Sequence, residues 1–235
     1  MSEPTADDRP PQDQQRVRAS YDAVAEHYTS RVHDELHHKP LDRGLLQAFA
    51  DQLEDEHGPG AEVCDIGCGP GHVGAFLAAR GLRAGGIDLS PSMIEQARTL
   101  HPEMTFAVGS MTALDVPDAR YHGIVAFYSI IHLSSDAQVR TALGEFHRVL
   151  HPDGLLLVAV HLGEHGDATE HAAEMLGVRV DMDFRLFDAD QLAATLADSG
   201  FGIAARLVRA PYSDVEVQTA RAYLLARRLE HPARG

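Results

Sequence analysis

Residues Val63-Cys64-Asp65-Ile66-Gly67-Cys68-Gly69-Pro70-Gly71 form an apolar run that ends in an acid and opens into a loop with glycine at every second position. Glycines so spaced let bare backbone approach a ligand, because no Cβ intervenes and positive φ costs little. Asp65, two residues before the first glycine, changes what such a loop favours. Pyrophosphate is held by amides and positive dipole ends, whereas a carboxylate here suits a ligand with a positive group. A second apolar run ends at Asp88, in Gly86-Ile87-Asp88-Leu89-Ser90, 21 residues beyond Gly67. In nucleotide-binding βαβ units an acid at about this distance holds ribose hydroxyls. The two sites together describe a ligand carrying adenosine and a cation. The glycines alone do not choose, since Gly69-Pro70-Gly71-His72-Val73-Gly74 also matches the dinucleotide pattern Gly-x-Gly-x-x-Gly.

The pattern around this loop repeats. Strands are expected at 61–66, 83–88, 104–108, 122–128 and 154–160, with helices at about 71–80, 91–100 and 135–149 between them. Ser90-Pro91 marks a helix start, a serine cap followed by proline at the first helical position. Such alternation means a doubly wound, Rossmann-like α/β fold with helices on both faces of a mostly parallel sheet. Residues 14–57 carry apolar side chains at helical spacing and read as an N-terminal helical cap of two helices divided at Pro40. Residues 1–13 are polar and unpatterned and read as a disordered tail. The core spans 58–230, and within it 161–187 reads as an irregular or partly helical insertion on the substrate side. A helix capped by Asp188 follows, and the last strands, about 202–209 and 220–228, are close enough to form an antiparallel pair at the sheet edge.

The chain has 235 residues and a formal net charge of −15, which argues against nucleic acid, whose phosphates need clustered Lys and Arg. No apolar run approaches a membrane span and the N-terminus lacks a signal pattern, so no membrane partner is expected. The two cysteines, Cys64 and Cys68, flank the glycine loop and read as reduced thiols, which places the chain in the cytoplasm. His33 and His37 share metal-ligand spacing, but no third ligand accompanies them and no metal is expected.

Five ordered motifs resemble the class I S-adenosylmethionine-dependent methyltransferases across residues 16–229. They are Val63 to Gly71, Asp88-Leu89, Val108-Gly109-Ser110-Met111, Ile124 to His132, and Arg148-Val149-Leu150-His151-Pro152-Asp153-Gly154-Leu155-Leu156-Leu157. The resemblance implies a seven-stranded sheet whose final strand is antiparallel, S-adenosyl-L-methionine as cofactor, and a small-molecule methyl acceptor. It implies that Asp65, Gly67 and Gly69 line the methionine end of the cofactor, that Cys68 between them also binds it, that Asp88 binds the ribose, and that Leu89 and Met93 pack near the adenine. Ser110 and Met111 would face the adenine edge, although the family often has Asp where this chain has Ser110. Tyr128, at the end of strand four, would lie beside the methyl group.

Four residues are the catalytic candidates. His132 follows strand four where the sheet opens on the substrate, and a neutral imidazole there can take a proton. His161 ends strand five in a similar position. Tyr128 stands at the methyl group, and Tyr21 and Tyr28, seven residues apart on one helical face, are placed to form a lid over cofactor and substrate. Asp183, Phe184 and Arg185 are candidates for shaping substrate choice. The Asn/Asp-Pro-Pro-Tyr/Phe signature of nucleic-acid amino-methylating enzymes is replaced by Phe127-Tyr128-Ser129-Ile130. Methyl transfer to an oxygen or nitrogen of a small molecule, such as a specialised metabolite, is the expected activity. Non-methyl chemistry such as cyclisation, or regulation by a non-catalytic cofactor binder, remain the alternatives, and the chain is read as a monomer or homodimer.

Overall fold

A computed structural model describes residues 11–230. The chain opens with α1 (Gln12–Val32), a 3-10 turn (Glu35–His38) and α2 (Pro40–His57). Pro40 occupies the first turn of α2, where its missing N–H has no helical partner to lose. Gln12 and Asp13 therefore belong to α1 and not to a tail, and residues 1–10 lie outside the described residues. His33 ends α1 and His37 falls in the 3-10 turn, so the two do not share an α-helical face. Among the described residues no cluster of three or more His, Cys, Asp or Glu is arranged to hold a metal ion.

The alternation then runs β1 (Glu62–Ile66), α3 (His72–Ala78), β2 (Arg83–Asp88), α4 (Pro91–Leu100), β3 (Thr105–Val108), β4 (Tyr121–Phe127), α5 (Asp136–Val149) and β5 (Leu150–Leu162). After it come β6 (Ala168–Met175), β7 (Val178–Leu186), α6 (Ala189–Asp198), β8 (Phe201–Arg209) and β9 (Ala220–Arg228). The main sheet has seven strands in the order β3-β2-β1-β4-β5-β9-β8, parallel except that β9 runs against both of its neighbours. This is the expected seven-stranded sheet with its final strand antiparallel.

Side chains two residues apart share a face of a strand, so each central strand supplies both layers of the core. Cys64, Ile124, Leu156 and Val158 pack under α5 and α6, while Val63, Val125, Leu157 and Ala159 pack under α2 and α3. Asp188 caps α6 by accepting from the amides of Asp190 and Gln191, an arrangement worth about 1 kcal/mol. Among the described residues no helix is long and apolar enough to cross a membrane.

The stretch 161–187 is neither irregular nor helical. Beyond the end of β5, β6 and β7 form an antiparallel hairpin, a second sheet of two strands. Val178, Val180, Met182, Phe184 and Leu186 alternate with polar residues along β7 and turn one face inward. Val178 and Val180 pack against Val24, Ala25 and Met93. The hairpin also holds α1 by polar contacts: Arg16 reaches Asp181 and Asp183 at 3.0 and 3.1 Å, and the Ser20 hydroxyl accepts from the Asp181 amide.

Candidate active site

The carboxyl ends of β1, β2 and β4 open into a cavity of about 1030 Å³, open solvent at its mouth included. The glycine loop forms its floor. Gly67 donates its amide to the Ile87 carbonyl at 2.7 Å, which pins the loop to the end of β2. Its φ is +77°, and a Cβ there would lie 2.2 Å from that of Ser129, so the position admits only glycine. Gly69 also has a positive φ, with the Tyr28 ring the one group near the place a Cβ would take.

Asp65 stands at the base of this loop, 2% exposed. Its Oδ2 is buried without a hydrogen-bond partner. Burial pushes its pKa up to about 7; His72 pulls it down and Asp88 pushes it further up. A buried carboxylate oxygen left unpaired is costly unless a donor or cation arrives. Asp88 is differently placed. Its Oδ2 accepts from the Gly69 amide and its Oδ1 from the Ser90 amide, both at 2.8 Å, while burial raises its pKa. Leu89 and Met93 line the cavity beside it, and Met93 donates its amide to the Ser90 cap.

One wall of the cavity is α1. Gln14, Tyr21 and Tyr28 recur every seven residues, so they fall on one face and all line the cavity. Tyr21 and Tyr28 meet edge to face with ring centroids 5.6 Å apart. Asp22 fixes the helix to the start of α4 by accepting from the Ser90 hydroxyl at 2.6 Å and the Ser92 amide at 3.1 Å. The carboxylate sits well there, at the positive end of α4.

His132, in a 3-10 turn (Ile130–His132) after β4, meets this wall. The Tyr21 hydroxyl lies 2.8 Å from His132 Nε2, and the Asp183 carbonyl lies 3.4 Å from His132 Nδ1. A carbonyl can only accept, so Nδ1 carries the hydrogen and Nε2 accepts from Tyr21. Burial lowers the pKa of His132 to about 4, so the ring is neutral and basic at Nε2.

The other two catalytic candidates are placed differently. Tyr128 has a φ of +54°, and its ring lines the cavity while its hydroxyl is turned away. That hydroxyl bonds to Asp42 at 3.1 Å and Tyr223 at 2.7 Å, so it is occupied within the core and not free for an acceptor. His161 is absent from the cavity lining. Its Nδ1 bonds to the Thr219 hydroxyl at 2.7 Å, and burial, with Arg221 and Lys39 nearby, lowers its pKa to about 3. Both residues border a buried ionic network in which Asp42 and Glu216 hold Arg209, Arg221 and Lys39.

Met111, Cys68 and Ser110 line the cavity as well. Ser110 does not stand alone there: its hydroxyl donates to the Gln14 side chain at 2.9 Å. Gln14 is a site residue with no motif to announce it, and Ser129, inside the motif Ile124 to His132, has a role there that the motif does not give. Ser129 donates to the Ile66 carbonyl at 2.6 Å, bridging the ends of β1 and β4.

Residues 63–154 match the family model described as a methyltransferase domain. Over 114 residues the chain is 32% identical to malonyl-(acyl-carrier protein) O-methyltransferase from Serratia marcescens, covering 47% of this chain and 44% of that protein. Over 104 residues it is 34% identical to demethylmenaquinone methyltransferase from Chlorobaculum tepidum, covering 44% and 41%. The chain thus spans about half the length of the curated relatives it matches. The fold is similar to that of Burkholderia thailandensis 1,6-didemethyltoxoflavin-N1-methyltransferase, solved with 1,6-didemethyltoxoflavin and S-adenosylhomocysteine. The TM-score is 0.65 at 21% identity, over 95% of this chain and 93% of that one. The cyclase SpnF shares the fold at a TM-score of 0.63 and 18% identity, over 93% and 97%. Residues 63–154 thus match a methyltransferase domain, and the chain shares its fold with methyltransferases of known structure.

Proposed function

We propose that this chain transfers the methyl group of S-adenosylmethionine to an oxygen or nitrogen of a small cytoplasmic molecule, a specialised metabolite being the class we favour. The unpaired, buried Oδ2 of Asp65 beside the glycine loop carries the reading. It fits the ammonium of the methionine moiety, and a ligand lacking a cation would leave it unsatisfied. Asp88 fits the ribose hydroxyls, Leu89 and Met93 the adenine faces, and the Met111 amide the adenine edge. Gly67, Cys68 and Gly69 would run beneath the methionine chain, with Tyr28 above.

When bound, the cofactor supplies a methyl group already activated by a sulfonium. The protein's task is alignment, exclusion of water and management of one proton. α1 walls the cavity, the β6–β7 hairpin braces α1, and the Tyr21–His132 pair provides the proton path. An acceptor hydroxyl or amine held at Tyr21 would give its proton to the Tyr21 oxygen as the Tyr21 proton passes to His132 Nε2. The methyl group would leave the sulfonium, whose bonding pair stays on sulfur, for the acceptor atom. The Asp183 carbonyl holds Nδ1–H and keeps the ring in the accepting tautomer. Two features support a small molecule over nucleic acid: the net charge of −15 and the absence of the amino-methylating signature after β4.

Incubation with methyl-labelled cofactor and a metabolite extract tests the proposal. Label in a small-molecule product supports it. Tight cofactor binding with no transfer to any acceptor overturns it.

A further inference from the structure

Ser110 stands where the family often carries an aspartate, and its hydrogen-bonding capacity is spent. Its hydroxyl donates to Gln14 Oε1 at 2.9 Å. Gln14 Nε2 donates to the Thr112 hydroxyl at 3.0 Å, and the Thr112 hydroxyl lies 2.9 Å from that of Ser110. Ser110 has given its one hydrogen to Gln14, so the Thr112 hydroxyl donates to Ser110 and the three side chains close a ring with every bond running in one direction. Such rings strengthen each member. The Thr112 amide, 3.3 Å away, takes the second lone pair of Ser110.

A hydroxyl has one donor and two acceptor sites, so Ser110 has none left for a ligand. A carboxamide has two of each, and the ring uses one of each on Gln14. Gln14 therefore keeps one lone pair on Oε1 and one hydrogen on Nε2, although it is 5% exposed. It lines the same cavity as Ser110, Met111, Leu89 and Asp88. The ring occupies the edge where Oε1 and an Nε2 hydrogen lie side by side, so the spare lone pair of Oε1 acts alone, and a single acceptor matches the adenine amine, which is a donor.

We propose that Gln14, reaching across from α1, reads the adenine amine of the cofactor through Oε1, the acceptor that Ser110 cannot supply. Ser110 and Thr112 are then positioning residues that orient the carboxamide. The proposal rests on the cofactor reading above and adds a specificity-determining residue to it.

The test is calorimetric binding of S-adenosylhomocysteine and of S-inosylhomocysteine, in which the amine is an oxo group. The unaltered protein is expected to prefer the amine ligand by about tenfold, the scale of one hydrogen bond and its mismatch. Gln14→Ala should erase that preference by weakening the amine ligand alone. Adding Ser110→Asp to it should restore the preference, because the carboxylate is an acceptor freed from the ring. Gln14→Glu, close to isosteric and acceptor-only, should widen the preference, and it decides the matter should the alanine variant fail to fold. A preference unchanged in either single variant, or both ligands losing affinity equally in Gln14→Ala, overturns the proposal. Failure of the unaltered protein to bind S-adenosylhomocysteine would instead overturn the cofactor reading.

Discussion

The Tyr21 hydroxyl lies 2.8 Å from His132 Nε2, joining a side chain of the first helix to one that follows β4, 111 positions later. Each half alone is unremarkable chemistry: a phenol held protonated by burial, and an imidazole held neutral by burial. Paired in a cavity wall, they supply the single hydrogen bond that the proposed proton path requires. Tyr21→Phe keeps the edge-to-face packing and removes the path. The expected loss in kcat is ~10²–10⁴ for that variant and for His132→Ala, with cofactor affinity little changed. The double variant should lose no more than the worse single one, since the two act as a unit. Additive losses in single-turnover kinetics would argue against a relay.

The pH profile gives an independent check. His132 is pulled down to about 4 by burial. As a base it acts when unprotonated, so the limb it contributes rises with pH through about 4 and is flat above. A limb near the ordinary histidine value, abolished by His132→Gln, would contradict this placement.

Asp65 has the opposite displacement, from the usual 3.8 up to about 7 through burial, with His72 and Asp88 facing it. An acid raised in the fold opposes folding above its unfolded value, so its contribution to stability declines as pH rises from about 4 to about 7. A bound ammonium needs the ionised form. Affinity for S-adenosylhomocysteine should therefore climb by about tenfold per pH unit below 7 and level off above it, with a proton released on binding. Asp65→Asn should bind weakly and flatten the profile. Buffers of different ionisation enthalpy reveal the proton directly, and no buffer dependence near pH 6 would refute the assignment.

Asp88 already accepts from two amides, and an ordering role in the loop comes with any ribose contact. Asp88→Ala is expected to weaken S-adenosylhomocysteine by ~1–3 kcal/mol, the scale of a lost charged hydrogen bond. Calorimetry showing unchanged affinity would remove the ribose role.

Asp42 is fully buried and accepts from the Tyr128 and Tyr223 hydroxyls and from Arg209. Its removal leaves Arg209 short of a partner inside the core. Asp42→Ala should cost about 3–5 kcal/mol in urea unfolding, and Asp42→Asn less, because the amide oxygen still accepts. A loss under 1 kcal/mol for the alanine variant would mean that water enters the network.

The strands from β1 to β5 were legible because each is an apolar run bounded by glycine, proline or a capping residue. The β6–β7 hairpin was not read, although Val178 to Leu186 alternates strictly. Its partner β6, Ala-Thr-Glu-His-Ala-Ala-Glu-Met, is solvent-exposed along almost all its length and carries no period. In the site, Asp65 and Asp88 were readable because they are fixed to strand ends within one βαβ unit. The hydroxyl of Tyr128 was not, since its direction depends on Asp42 and Tyr223, 86 and 95 positions away. Gln14 escaped for the same reason, its partner Ser110 being 96 positions distant.

The placement of Gln14, Tyr21 and Tyr28 on one helix has a thermodynamic consequence. Both ligands see a complete cavity only in molecules whose α1 is docked, so each apparent dissociation constant is the intrinsic one divided by the docked fraction. A substitution that loosens α1 without touching either ligand, such as Arg16→Ala, would weaken cofactor and acceptor by one common factor. Loss of a direct contact would weaken only one of them. The two affinities, measured separately, thus distinguish a docking defect from a contact defect without a second structure.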